Sequence, residues 1–262
     1  MRMTSEKDIN AFRRWMKGKN LSGATISSYS RAVAYYLSQG YKMETADLRQ
    51  WKEQEQQRVS AGTVTLRIHA LNKYAEYLHL RFRLKPLKVE IPDYVDDELT
   101  SSMYQKLLAK LLEDKNYEWY CIVKLLACTG LRISEAMQVK DSHIRQGHVD
   151  IIGKGNKIRR VWFSSNLRKE LEGKMAEGNL INHNQRFIRA KLHRLAEKYG
   201  IPKKPMHPHA FRAFFARRVY EKCKDLQFLQ KLMGHASVKT TMRYLRKSST
   251  GMKRRISRIV DW

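Results

Sequence analysis

The sequence predicts a mainly α-helical protein of two domains, with one small β-hairpin in the second. Three observations carry that reading. Apolar residues recur at helical spacing through most of the 262 residues. A stretch bracketed by Pro86 and Pro92 interrupts the pattern. Two β-branched runs around a Gly-rich turn, between His148 and Phe163, are the one clear strand signal.

Taken in order, Ile9, Phe12 and Trp15 mark a first helix, and Ile26, Tyr29, Val33 and Tyr36 a second. Ala46 to Val59 is more polar, with Leu48 and Trp51 as its anchors, and reads as a helix at the edge of a bundle. Val64, Ile68, Leu71, Ala75 and Leu78 make the fourth. Breaks at Gly18-Lys19-Asn20, Gly40 and Ser60-Ala61-Gly62 separate the four. Residues 1–82 are therefore expected to form an N-terminal helical domain and 83–98 an extended linker, whose prolines forbid a long helix. Asp93, Asp96, Asp97 and Glu98 close that linker; a Mg²⁺ site is conceivable, and solvated acids before the next helix, where its dipole favours negative charge, are the preferred reading.

A second domain is expected over 99–247, opening with helices marked by Tyr104, Leu107, Leu108 and Leu111, then by Ile122, Leu125 and Leu126. His148 to Ile152 and Ile158 to Phe163 flank Gly153-Lys154-Gly155-Asn156-Lys157 as a hairpin. Helical spacing resumes with Ile188, Leu192, Leu195 and Tyr199, and two more helices are expected near Pro208–Cys223 and Asp225–Met233. Residues 248–262 form a tail in which Ile256, Ile259 and Val260 make an apolar stripe beside Lys253, Arg254, Arg255 and Arg258.

Charge narrows the function. Lys plus Arg number 52 against 25 Asp plus Glu, a net +27, while 42% hydrophobic residues exclude a disordered basic tail. Up to residue 95 there are 17 basic and nine acidic residues, and beyond it 35 and 16, so both halves carry the excess. A folded protein gripping a polyanion from both halves is implied, with nucleic acid preferred over an anionic membrane surface. No apolar run reaches the ~20 residues of a membrane span. Met1-Arg2-Met3-Thr4 leads straight into polar sequence, so no signal peptide is expected. The odd set of Cys121, Cys128 and Cys223, without C-x-x-C spacing, argues against disulfides or a Cys-rich zinc site. A cytoplasmic, nucleoid-associated protein is expected.

Four segments carry chemistry. Arg132 and Glu135 lie three apart where a helix stops at Gly130 and another starts, so they share a face. His209 and Arg212 have the same spacing, Gly234-His235 ends a helix nine residues before Tyr244, and Lys154 sits in the hairpin turn. Two guanidinium groups suit a bidentate grip on a phosphodiester. A lysine can protonate a leaving oxygen and a tyrosine can attack phosphorus. Cationic side chains at the transition state can then take the place of a metal ion.

Thr129-Gly130-Leu131-Arg132-Ile133-Ser134-Glu135-Ala136, the hairpin turn, His207-Pro208-His209-Ala210-Phe211-Arg212 and Met233-Gly234-His235 through Tyr244 resemble, in order and spacing, the motifs of the tyrosine recombinase (phage integrase) family. The resemblance is strong over roughly residues 98–246; the first four helices are similar to the family's core-binding domain in architecture only. It implies a site-specific DNA recombinase working through a 3′-phosphotyrosyl intermediate. Tyr244 would attack the scissile phosphate, Arg132 and Arg212 clamp its non-bridging oxygens, and Lys154 protonate the departing 5′-oxygen. His209 and His235 would hydrogen-bond the phosphate and assist proton transfer, with Glu135 orienting the site from behind. No metal and no cofactor are expected, because the phosphotyrosyl bond conserves the energy of the broken diester.

Alternatives stand beside these assignments. Lys157 competes with Lys154, His207 with His209, and a zinc site on His207, His209 and His235 is conceivable, though no Cys or acid falls at ligand spacing. Gly153-Lys154-Gly155 lacks the spacing of a phosphate-binding loop. Ala213 stands where many relatives have histidine, and Phe211 where leucine is common, from which altered packing is expected. No extra domain is expected ahead of the four helices, so the compact layout of Xer-type and transposon recombinases is expected over the lambda type. Partners implied by the resemblance are double-stranded DNA with paired inverted core sites, a homotetramer on two such sites, and an accessory protein or second recombinase; no membrane is involved. The two basic halves would close on DNA as a clamp, and the tail would dock on a neighbouring protomer. Rival functions are a type IB topoisomerase-like or telomere-resolving enzyme, and a non-catalytic DNA-binding protein of the same fold.

Overall fold

The computed structural model describes residues 6–88, 98–153 and 158–245, together with 257 and 260. Lys154 and Lys157, the acids Asp93, Asp96 and Asp97, and the tail apart from Ser257 and Val260 lie outside the described residues. The chain divides into two compact units, residues 1–91 and 92–262. It is mainly helical, with one two-stranded sheet among the described residues. No described helix is long and apolar enough to cross a membrane.

The first unit holds α1 (Glu6–Gly18), α2 (Gly23–Ser38), α3 (Thr45–Arg58) and α4 (Ala61–Tyr77). Ser22 and Ser60 cap α2 and α4, each side chain accepting from the backbone N–H three residues on (Thr25 at 3.2 Å, Thr63 at 3.4 Å). Phe12, Tyr36, Leu48, Trp51, Ile68, Leu71 and Tyr74 interlock as the buried core. Helix α3 has few apolar anchors because its inward stripe continues from Leu48 and Trp51 into Glu55, whose buried carboxylate accepts from the Tyr35 hydroxyl at 2.9 Å and pairs with Arg67. Paired in this way, the charge can be buried.

The segment expected as an extended linker is anchored over its first part. Asn72 on α4 pairs with the Leu84 backbone like a neighbouring strand, its Nδ2 donating to the Leu84 carbonyl and its Oδ1 accepting from the Leu84 N–H, both at 2.9 Å. Lys52 donates to the Lys85 carbonyl at 3.0 Å, and Phe82, Leu84 and Leu87 pack on the core. Prolines exclude helix, but they leave an extended chain free to dock through its side chains.

In the second unit, α5 (Ser101–Glu113) leads to α6 (Tyr117–Thr129), which is buried on nearly every face and forms the centre of the core. It ends at Gly130, left-handed at φ 62°. Short helices α7 (Ile133–Ala136) and α8 (Asp141–Gln146) lead into β1 (His148–Ile152) and β2 (Ile158–Trp162), antiparallel with Val149 opposite Val161 and Ile151 opposite Arg159. Then come α9 (Ser165–Leu171), α10 (Gln185–Lys198), α11 (Pro208–Cys223), α12 (Leu226–Met233), α13 (Val238–Met242) and a 3-10 turn over Arg243–Leu245. Helix α11 packs along α6 and against α12 and the turn, and α13 packs on those last two. The helices of four to seven residues were too short to show a period in the sequence.

Candidate active site

Two helix ends and one guanidinium make the floor of the site. Arg212, on α11, is 1% exposed. Its Nη1 donates to the carbonyl of Gly130, the cap of α6, and its Nη2 donates to the carbonyl of Met233, the last residue of α12, at 2.6 Å. Carbonyls at helix C-termini lack helical partners and carry the negative end of the dipole, so a buried cation is stabilised between two of them. Burial, followed by the nearby Arg132 charge, lowers Arg212 to about 10, which leaves it protonated at neutral pH.

Arg132 occupies the cap of α7, and its backbone N–H and Nη1 both donate to the Glu135 carboxylate, each at 2.8 Å. Glu135 is buried and accepts as well from Arg159 Nη2 at 3.0 Å, with Arg212 Nη1 at 3.7 Å. Burial alone would raise its carboxyl; the donors from Arg132 and the charges of Arg159 and Arg132 outweigh that and hold it below its ordinary value. Three arginines against one carboxylate leave a net excess of two positive charges. A phosphodiester whose transition state gains negative charge is the ligand such a site fits.

His235 follows Gly234, a left-handed cap at φ 62°. Its Nε2 lies 2.8 Å from Arg212 Nη2, and its Nδ1 lies 2.9 Å from Thr241 Oγ1. A guanidinium only donates, so Nε2 must accept, and Nδ1–H therefore donates to Thr241. Burial and the charges of Arg212, Arg132 and Arg159 push His235 down to about 4, in agreement with that neutral tautomer.

Tyr244, on the 3-10 turn, lies nearly parallel to the His235 ring, with centroids 5.3 Å apart and planes at 14°. Its hydroxyl faces His209 Nδ1 at 3.5 Å, and Arg212 lies over its ring at 5.8 Å. Burial and the charges of Arg212 and Arg132 lower His209, which keeps it able to accept a proton at neutral pH. Beside it a cavity of about 440 Å³ is lined by His207, His209, Ala213, Arg217, Thr240 and Tyr244, so the small side chain at Ala213 faces open volume.

The structure thus gathers Arg132, Glu135, His209, Arg212, His235 and Tyr244, while Lys154 is outside the described residues. His207 is occupied as the cap of α11, its Nδ1 accepting from the Ala210 N–H at 3.2 Å. No group of three or more His, Cys, Asp or Glu among the described residues is placed to hold a metal ion. Phe211 is fully buried in the core.

Sequence reasoning missed Arg159 and Thr241. Strand alternation could have found Arg159, since it shares the inward face of β2 with Val161. Nothing in the pattern marked Thr241, which is buried through the turn after Gly234. Both motif glycines have steric grounds. A Cβ on Gly130 would stand 2.3 Å from the Phe215 ring, and one on Gly234 would stand 2.5 Å from Arg159 Nε.

A buried arginine beside a half-buried one, two imidazoles and a partly exposed tyrosine suit phosphoryl transfer through a tyrosine nucleophile, the chemistry of DNA strand transferases. The phage integrase family model matches residues 97–250. The chain is 27% identical to tyrosine recombinase XerA of Pyrococcus furiosus, over 95% of this chain and 93% of that protein. It is 31% identical to a tyrosine recombinase of Pseudothermotoga lettingae, over 72% and 71%. Its fold matches a lambda integrase tetramer bound to a Holliday junction with a TM-score of 0.73, at 15% identity, over 91% of this chain and 76% of that one. The chain belongs to the phage integrase family. It is a tyrosine recombinase, an enzyme that cleaves and rejoins DNA at specific sites.

Proposed function

We propose that this recombinase cleaves through Tyr244 and reseals the strand by reversing the same steps. The observation that carries this is the placing of the Tyr244 hydroxyl against His209, over Arg212 and alongside His235. Arg132 and Arg212 hold the non-bridging oxygens of the scissile phosphate. His209, kept neutral by its surroundings, takes the tyrosine proton as the Tyr244 oxygen bonds to phosphorus. The bond to the 5′-oxygen breaks and Lys154 supplies the proton that oxygen needs. Glu135 fixes Arg132, and Thr241 fixes the tautomer of His235. A 5′-hydroxyl from another strand then attacks the 3′-phosphotyrosyl link, with neither metal nor nucleotide consumed.

The substrate is double-stranded DNA carrying paired inverted core sites, with four protomers assembled on two sites and the C-terminal tail docked on a neighbour. Support comes from the basic excess of both units and from the DNA-bound tetrameric structural neighbour. A duplex nicked just beyond the cleavage point tests the reading, because the short fragment diffuses away and traps the adduct. Wild-type protein should accumulate a covalent 3′ adduct on a paired inverted site and exchange strands between two such sites. Relaxation of any supercoiled plasmid by a monomer, without site preference, would replace the recombinase reading with a topoisomerase one.

A further inference from the structure

The hairpin that carries Lys154 is a two-stranded sheet, an element of marginal stability alone. Val149, Ile151 and Val161 bury its near end in the core. Its last buried rung is Ile151 opposite Arg159; the next, Ile152 opposite Ile158, is 55% and 70% exposed. At that boundary each strand has one side-chain tether. On β1, Gln138 brackets the Ile152 backbone, donating to its carbonyl at 3.2 Å and accepting from its N–H at 3.3 Å. On β2, Arg159 reaches across the floor of the site. Its Nη2 donates to Glu135, and its Nη1 donates to the Leu232 carbonyl at 3.0 Å. The side chain runs beneath Gly234, where a Cβ would meet it at 2.5 Å.

We propose that Arg159 is a positioning residue for strand cleavage: it locks the outer end of the hairpin to the Glu135 carboxylate and to the last turn of α12, setting where Lys154 is delivered. Arg159 follows Lys154 by five residues, so fixing the strand at Arg159 fixes the point on the chain from which that lysine is delivered. One guanidinium spans a carboxylate and a carbonyl from different elements, with two nitrogens of its planar fork each donating to one of them. Removing it frees the hairpin end from both anchors, while Arg132 and Arg212 keep their own bonds. This inference rests on Lys154 being the general acid.

The test is single-turnover cleavage of a duplex in which sulfur replaces the scissile 5′-oxygen, since a thiolate departs without a proton donor. Lys154→Ala serves as the reference, and Arg159→Gln and the exposed-site variant Gln138→Ala are compared with it by duplex affinity and thermal unfolding. Arg159→Gln is expected to cleave the ordinary substrate about 10–100-fold slower, within the range a general acid contributes, and to return to within about threefold of wild type on the sulfur substrate. Gln138→Ala, which leaves the stronger tether in place, should show a smaller defect with the same rescue, and it remains informative if Arg159→Gln fails to fold. Rescue of Lys154→Ala but of neither tether variant overturns the proposal and leaves the Lys154 reading standing. Rescue of none of them overturns both.

Discussion

Replacing Glu135 with glutamine removes the one carboxylate among three arginines while conserving shape. In the native site it accepts two bonds at 2.8 Å from Arg132 and one at 3.0 Å from Arg159, all charge-assisted or made to a charged acceptor. Such bonds contribute about 1.5–3 kcal/mol each, and breaking a buried ion pair by neutralising one partner typically costs about 3–5 kcal/mol. The amide keeps one acceptor and turns an N–H₂ toward a guanidinium, so the lower part of that range, about 3 kcal/mol, is expected. Hydrogen exchange of the α6 amides reads this directly, because that buried helix exchanges only when the second unit opens. Loosening of Arg132 should also slow cleavage by about 100-fold, equivalent to roughly 2.7 kcal/mol. Since the folded-state carboxyl lies below its ordinary value, its contribution is fully present above the ordinary carboxylate range and fades as pH falls through the folded value. The gap between wild type and variant should therefore close in strong acid. An opening free energy lowered by less than about 1 kcal/mol at neutral pH would refute the reasoning, since even one charged bond exceeds that.

Gly130→Ala combines a positive φ with a contact at 2.3 Å to Phe215 and should destabilise the second unit by about 2–4 kcal/mol in urea unfolding, whereas Gly173→Ala, at φ 71° with open space around it, should cost only about 1 kcal/mol. His235, held near 4, should stay neutral by NMR from pH 8 to 5; because the unfolded chain takes up its proton near 6.5 and the folded one does not, stability should fall as pH drops from about 6.5 toward 4. Duplex affinity should drop steeply and log-linearly with salt, as expected where phosphate contacts supply most of the binding, and a flat response would contradict a two-unit grip on DNA.

Much of this was legible because the motifs are local in sequence. Arg132 and Glu135 share one turn, His209 and Arg212 another, and Gly130 and Gly234 announce the two helix ends that hold Arg212. What stayed hidden depends on distant pairings. Arg159 acts on Leu232, 73 residues away, and the docking of residues 82–88 depends on Asn72 offering an amide that mimics backbone. Glu55 carries no apolar signal on a sparse helix, and only its pairing with Arg67 and Tyr35 shows why a charge completes that stripe. Charge pointed to a polyanion, with nucleic acid preferred over a membrane surface, since an excess spread over both halves follows from composition without knowledge of the fold.

The most direct test of the account is denaturing capture of protein covalently attached to DNA in cells expressing either wild type or Tyr244→Phe, followed by sequencing of the attached DNA. The account predicts sharp wild-type peaks at a paired inverted site, with protein joined to the 3′ end, and none in the variant. Adducts of equal yield in Tyr244→Phe would show that another residue is the nucleophile and contradict it.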